Sequence, residues 1–143
     1  MNSDVFRILY CSRNLIEGAP ALQFSEIDQI LTTARTNNSL HQVTGALLFN
    51  SGYFAQVLEG PRLAIERIFE KIQRDQRHGE VTVLESGQTA RRDFPDWSMA
   101  YVQPPSEAHA TDLATALDQA MLHPAASGSA VLDLLRALVI QED

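Results

Sequence analysis

Val43-Thr44-Gly45-Ala46-Leu47-Leu48-Phe49 and Tyr53-Phe54-Ala55-Gln56-Val57-Leu58-Glu59 flank the turn Asn50-Ser51-Gly52, and their pairing decides the fold. The first run is mostly apolar and of strand length, which suits a strand buried on both faces. The second returns as its hairpin partner until Gly60-Pro61 breaks it. Working outward, a helical pattern lies on each side of this hairpin. Before it, Ser25 is placed as the N-cap of Glu26, Ile27 and Asp28. Ile27, Ile30, Leu31 and Ala34 follow at helical spacing, and Asn37-Asn38-Ser39 ends the helix. After it, residues 62–77 carry Leu63, Ile65, Ile68, Phe69 and Ile72 on one face, with Asp75, Arg77 and His78 at the close.

Further out, Val5-Phe6-Arg7-Ile8-Leu9-Tyr10-Cys11 reads as a first strand, with Phe6, Ile8 and Tyr10 on one face. Val81-Thr82-Val83-Leu84-Glu85 reads as a fourth strand and residues 97–102 as a fifth. The order β-α-β-β-α-β-β predicts an α+β, ferredoxin-like βαββαβ fold with an added fifth strand. Its sheet is expected to be antiparallel, with both helices on one face. Residues 107–122 and 129–140 read as two more helices, separated by Pro124 and Gly128. Short helices with apolar stripes need a surface to pack on, and the free face of the sheet offers one. The chain therefore divides into residues 1–103 and a helical extension, 104–143, in one compact unit. The extension either seals the sheet or carries a signal.

The length of 143 residues fits one domain. Cys11 is the only cysteine, which excludes a disulfide framework and a multi-Cys zinc site, and fits a reducing, cytoplasmic setting. No secretory signal or membrane span is expected. The net charge is −7, against general phosphate attraction to nucleic acid. Residues 1–103 hold 10 Arg/Lys against 12 Asp/Glu, and residues 104–143 hold one against six, so acidity concentrates in the extension.

Two polar residues stand where the pattern wants apolar ones. Gln56 shares a strand face with Phe54 and Leu58, and Tyr10 shares one with Phe6 and Ile8. A buried amide without partners costs about 1–3 kcal/mol, so a tyrosine hydroxyl is a natural mate. On strand pattern alone, a satisfied core pair without chemistry is the simpler account. Asn37 and Asn38 fit a helix C-terminus, and Arg77 and His78 fit the negative end of a helix dipole. Cys11 points to the opposite face from Tyr10. His41, His109 and His123 lack ligand spacing, so no metal site is expected. No phosphate-binding glycine loop and no Ser-His-Asp or paired-carboxylate arrangement is present.

Taken together, five segments resemble the BLUF family of blue-light sensors that use FAD. They are Arg7-Ile8-Leu9-Tyr10-Cys11-Ser12; Asn37-Asn38 with Val43-Thr44-Gly45-Ala46-Leu47; Phe54-Ala55-Gln56-Val57-Leu58-Glu59-Gly60; Ile72-Gln73-Arg74-Asp75-Gln76-Arg77-His78; and Phe94-Pro95-Asp96-Trp97-Ser98-Met99. They run in unbroken order over residues 5–103. The resemblance implies FAD, with FMN or riboflavin able to substitute, lying between the two helices with its ring against the sheet. It implies that Tyr10 donates an electron and proton and that Gln56 bridges it to the flavin. Asn38, with Asn37 beside it, would bind the pyrimidine edge. Lys71, Asp75 and His78 would contact the ring, ribityl or phosphate region, with Lys71 standing where the family often has Arg. Ile30 and Ile72 would sandwich the ring. Trp97 and Met99 match the fifth-strand pair, one of which packs near the glutamine, and the signal would leave through that strand to the extension.

The resemblance also implies a short, non-enzymatic type that acts on a separate effector protein, or through its own homo-oligomer, without nucleic acid or membrane. The acidic extension suits a basic surface on that effector. Two other readings compete. One is a ferredoxin-like regulatory module that binds a small molecule other than flavin. The other is an acylphosphatase-like hydrolase, for which Ser12-Arg13-Asn14 makes a thin phosphate cradle.

Overall fold

A computed structural model of the chain describes residues 5–49, 52–96, 98–102 and 107–142. In chain order they form β1 (Val5–Asn14), α1 (Pro20–Leu40), β2 (Thr44–Phe49), β3 (Tyr53–Gly60), α2 (Arg62–Arg74), β4 (His78–Thr89), β5 (Ala100–Val102), α3 (Glu107–Leu122) and α4 (Pro124–Glu142). The strands make one five-stranded sheet in the order β4-β1-β3-β2-β5. This is the predicted βαββαβ arrangement with an added strand.

The sheet divides the core in two because successive side chains alternate between its faces. Phe6, Ile8, Tyr10, Leu47, Phe54, Leu58 and Met99 pack on one side against Ile27 and Leu31 of α1 and Ile65 of α2. Leu9, Cys11, Ala46, Leu48, Ala55 and Val57 pack on the other against Leu113 and Leu117 of α3 and Val131, Leu132, Leu135 and Leu138 of α4. Leu113, Leu117 and Leu135 are wholly buried there, each worth roughly 1.5–3 kcal/mol over exposure. Gly45 of β2 pairs with Leu58 of β3. A Cβ at that position would lie 2.0 Å from the Val57 carbonyl oxygen, so only glycine fits.

Several boundaries differ from the sequence reading. α1 starts at Pro20, a residue whose fixed φ and missing N–H suit a first turn, so Ser25 lies inside the helix rather than capping it. Asn37 and Asn38 lie in its last turn, which runs on to Leu40. α2 stops at Arg74, and His78 opens β4 instead of closing the helix. Leu63 is exposed, because it stands nearly half a turn from the stripe of Ile65, Ile68, Phe69 and Ile72. α4 begins at Pro124, so Gly128 belongs to the helix and approaches the Leu84 carbonyl of β4.

The largest correction concerns the sheet, which is mixed. β5 covers Ala100–Val102 alone and runs parallel to β2 in the register Ala46↔Ala100, Leu47↔Tyr101 and Leu48↔Val102. The cause is the path from β4. Thr89 pairs with Val5, Phe6 with Gly60, and Glu59 with Thr44, so all four strand ends lie at one end of the sheet. The chain leaves β4 there and crosses beneath β1 and β3. It then rises beside β2 from the end where β2 itself begins, and must run parallel to it.

Candidate functional site

A cavity of about 510 Å³ opens between α1, α2 and the sheet face that carries Tyr10 and Gln56. That volume lies within the range of small-molecule sites. Tyr10, Gln56, Ile30, Asn37, Asn38, Lys71, Ile72, Asp75 and His78 all line it. The sheet supplies the floor, and the two helices supply walls from Ile30, Ala34, Ile68 and Ile72.

Tyr10 and Gln56 are direct cross-strand partners on β1 and β3. The phenol donates to Gln56 Oε1, and both residues are buried. The Gln56 Nε2 end faces the Met99 Sδ at 3.5 Å, a weak acceptor. Burial holds the Tyr10 hydroxyl far above its ordinary pKa, and the negative charge of Asp75 adds to the effect. The phenol is therefore firmly neutral. Asp75 is itself held below the usual carboxylate range, chiefly by hydrogen bonds from the Arg77 side chain.

The remaining groups divide by what they have left to offer. Asn38 is buried and donates Nδ2 to the Ser98 carbonyl at 2.7 Å, while its Oδ1 has no hydrogen bond among the described residues. His78 is held at both nitrogens. Its Nε2 lies 2.6 Å from the Ile72 carbonyl, which can only accept, so Nε2 carries the proton. Nδ1 then accepts from the Ser12 hydroxyl at 2.7 Å in the neutral ring. His78 thus presents its ring to the cavity with its polar atoms already used. Trp97 lies outside the described residues. Met99 is buried against Gln56 but precedes β5 instead of lying within it.

Sequence reading passed over part of the lining. Thr33, Ala34 and His41 continue the α1 face of Ile30, Asn37 and Asn38, and Arg67 and Arg74 flank Lys71 on α2. The signal was spacing: 30, 33, 34, 37, 38 and 41 form one helical stripe, and 67, 71 and 74 form another. Arg67, Lys71 and Arg74 have no ion-pair partner among the described residues, whereas Arg77 pairs with Asp75 and Glu26. The cavity therefore has an apolar slot, a buried acceptor and a weakly used amide donor on the inside, and cations at its mouth. That set matches a flavin nucleotide, whose ring is flat and largely apolar, whose pyrimidine edge alternates acceptors with an N–H, and whose ribityl side chain carries phosphate.

The comparisons agree. A family model described as sensors of blue light using FAD matches residues 5–100. The chain belongs to this family, BLUF, whose chromophore is FAD. It is 33% identical over 75 residues to the photoactivated adenylate cyclase subunit beta of Euglena gracilis; the match covers 52% of this chain and 9% of that protein. Among solved structures it superposes on the dark state of BlrB, a BLUF protein, with a TM-score of 0.76 and 28% identity over 98% of both chains. It superposes on the photo-activated state of BlsA with a TM-score of 0.74 and 30% identity over 95% of both. The chain is thus a flavin-binding, blue-light-sensing photoreceptor, which sets aside the flavin-free and acylphosphatase-like readings. Among the described residues no helix is long and apolar enough to cross a membrane, and no cluster of His, Cys, Asp and Glu could hold a metal.

Proposed function

We propose that this protein senses blue light through Tyr10 and Gln56 and passes the signal through the segment before β5 to α3 and α4, and from there to a separate effector protein. The observation that carries the reading is the Tyr10–Gln56 hydrogen bond in the cavity wall, with Met99 at the other end of the same amide. Bound between the helices, flavin supplies the absorption of blue light and an excited state that is a strong oxidant. Tyr10 is the donor: loss of an electron makes its phenol a strong acid, and its proton already lies on the bond to Gln56 Oε1. The amide accepts that proton. It then rotates or changes tautomer, because an amide can donate at one end and accept at the other. Return of an electron and a proton restores the phenol and leaves Gln56 with a changed set of partners.

Asn38 offers its spare Oδ1 to the pyrimidine edge, Ile30 and Ile72 clasp the ring, and Lys71 lies among the cations suited to phosphate. Asn37 and His78 shape the wall, and Asp75 acts by fixing Arg77. Trp97, two residues before Met99 in the sequence, is the second member of the pair that the family resemblance assigns to this switch. The output partner is an effector with a basic surface, matched to the acidic extension, or a second copy of the chain. The protein acts in the cytoplasm, without catalysis of its own and without direct contact to nucleic acid. Gln56→Leu tests this reading. The variant keeps its flavin and loses the light-induced red shift; an unchanged shift contradicts the role given to the amide.

A further inference from the structure

Residues 90–96, 98 and 99 lie between β4 and β5 without regular secondary structure, and side chains hold them at two places. At one end, the wholly buried Glu59 carboxylate accepts the backbone N–H groups of Asp93 and Phe94, at 2.9 Å each. At the other end, Arg35 Nε donates to the Met99 carbonyl at 3.0 Å and Asn38 to the Ser98 carbonyl. At the first of these grips, the Asp93 carboxylate also bridges two guanidinium groups. Arg7 of β1 is buried and is also held by Glu59 and Glu85. Arg136 of α4 reaches Asp93 Oδ2 at 2.6 Å.

The two sides of this bridge are unequal. Arg7 sits among three carboxylates at 9% side-chain exposure and cannot leave without stranding a buried charge. Arg136 is 40% exposed and has Asp133 on its own helix at 2.8 Å as an alternative partner. A shift of the crossing segment therefore shows first at Arg136, which can let go and remain paired. We propose that the Asp93–Arg136 ion pair is a latch between the segment carrying Met99 and α4, and that it opens when Gln56 gives up its contact with Met99. Arg136 is a positioning residue in this account, which rests on the Tyr10–Gln56 reading above.

Hydrogen–deuterium exchange on the full chain with bound flavin, in darkness and under blue light, tests the latch. In the wild type, α4 around residues 131–138 exchanges roughly 1.5- to fivefold faster in light, the scale of losing one partly exposed ion pair. Arg136→Gln and Asp93→Asn exchange at the lit rate already in darkness, gain nothing from light, and keep the red shift. Arg136→Lys, which retains the charge, regains part of the difference between dark and light. A purely structural role would speed exchange in both states and leave that difference intact. An undiminished difference in Arg136→Gln overturns the latch, as does a wild type whose spectrum shifts while α4 does not respond. A wild type with no red shift fails earlier, at Tyr10 and Gln56, and the latch falls with it.

Discussion

Tyr10 and Gln56 face each other directly across the β1–β3 ladder, and the phenol of one donates to the amide oxygen of the other. The register that pairs Phe6 with Gly60 and Ser12 with Phe54 therefore also sets this contact. The sheet positions the two side chains by backbone hydrogen bonds. A mobile loop plays no part in it.

Tyr10→Phe removes the donor and leaves the Gln56 Oε1 acceptor buried without its partner. The expected cost is about 1–3 kcal/mol of stability, read by denaturant unfolding of the flavin-free protein. The variant still binds flavin and shows no red shift after light. A full shift would remove Tyr10 from the donor role.

The neutral phenol makes stability fall on the alkaline side. Up to pH of about 10, Tyr10 is protonated in both folded and unfolded chains and contributes no pH dependence. Above it, the unfolded chain ionises while burial keeps the folded phenol protonated, so stability drops as pH rises. Tyr10→Phe flattens that limb of the unfolding curve. An equally steep limb in the variant would place the titration elsewhere.

Asp75 acts on the acid side with the opposite sign. Its carboxylate is held below its ordinary range by Arg77, so the stability it contributes is present above that range and disappears as pH falls through the depressed value. Both side chains are about one-third exposed, so Asp75→Asn costs no more than about 1 kcal/mol at neutral pH and nothing in strong acid. The same substitution makes the alkaline loss from Tyr10 smaller, because without the Asp75 charge the folded phenol ionises at a lower pH while the unfolded phenol is unchanged. Unfolding curves across pH check both effects.

Glu59→Gln weakens the grip on the crossing segment. The carboxylate serves Arg7 and two backbone N–H groups from full burial, and Arg7 retains Asp93 and Glu85 when the charge is lost. Destabilisation of about 2–4 kcal/mol is expected, against less than about 0.5 kcal/mol for the exposed Glu80→Gln control. Denaturant midpoints measure the difference.

The alternating strands and the two flanking helices are legible in the sequence because one face of each is buried. Gln56 and Tyr10 stand out for the same reason: a polar residue in a buried period is visible as an exception. The parallel pairing of β5 is not legible. It follows from where the chain leaves β4, and no local pattern records that path. The start of α1 is masked by Ser25-Glu26-Ile27-Asp28, which imitates a cap while Pro20 does the opening. Arg67 and Arg74 look like an ordinary solvated helix face, and only the cavity beside them gives their charge a use. Glu59 and Asp93 are missed because a buried ion network joins residues distant in sequence, with no periodic signal.

The measurement that tests the central claim most directly is the absorption spectrum of the purified protein in darkness and immediately after blue light. The account predicts oxidised flavin bands that move slightly to the red and relax back in darkness, as a change of hydrogen bonds around an unreduced ring requires. Bleaching of those bands would mean lasting flavin reduction and would contradict the switch assigned to Tyr10 and Gln56.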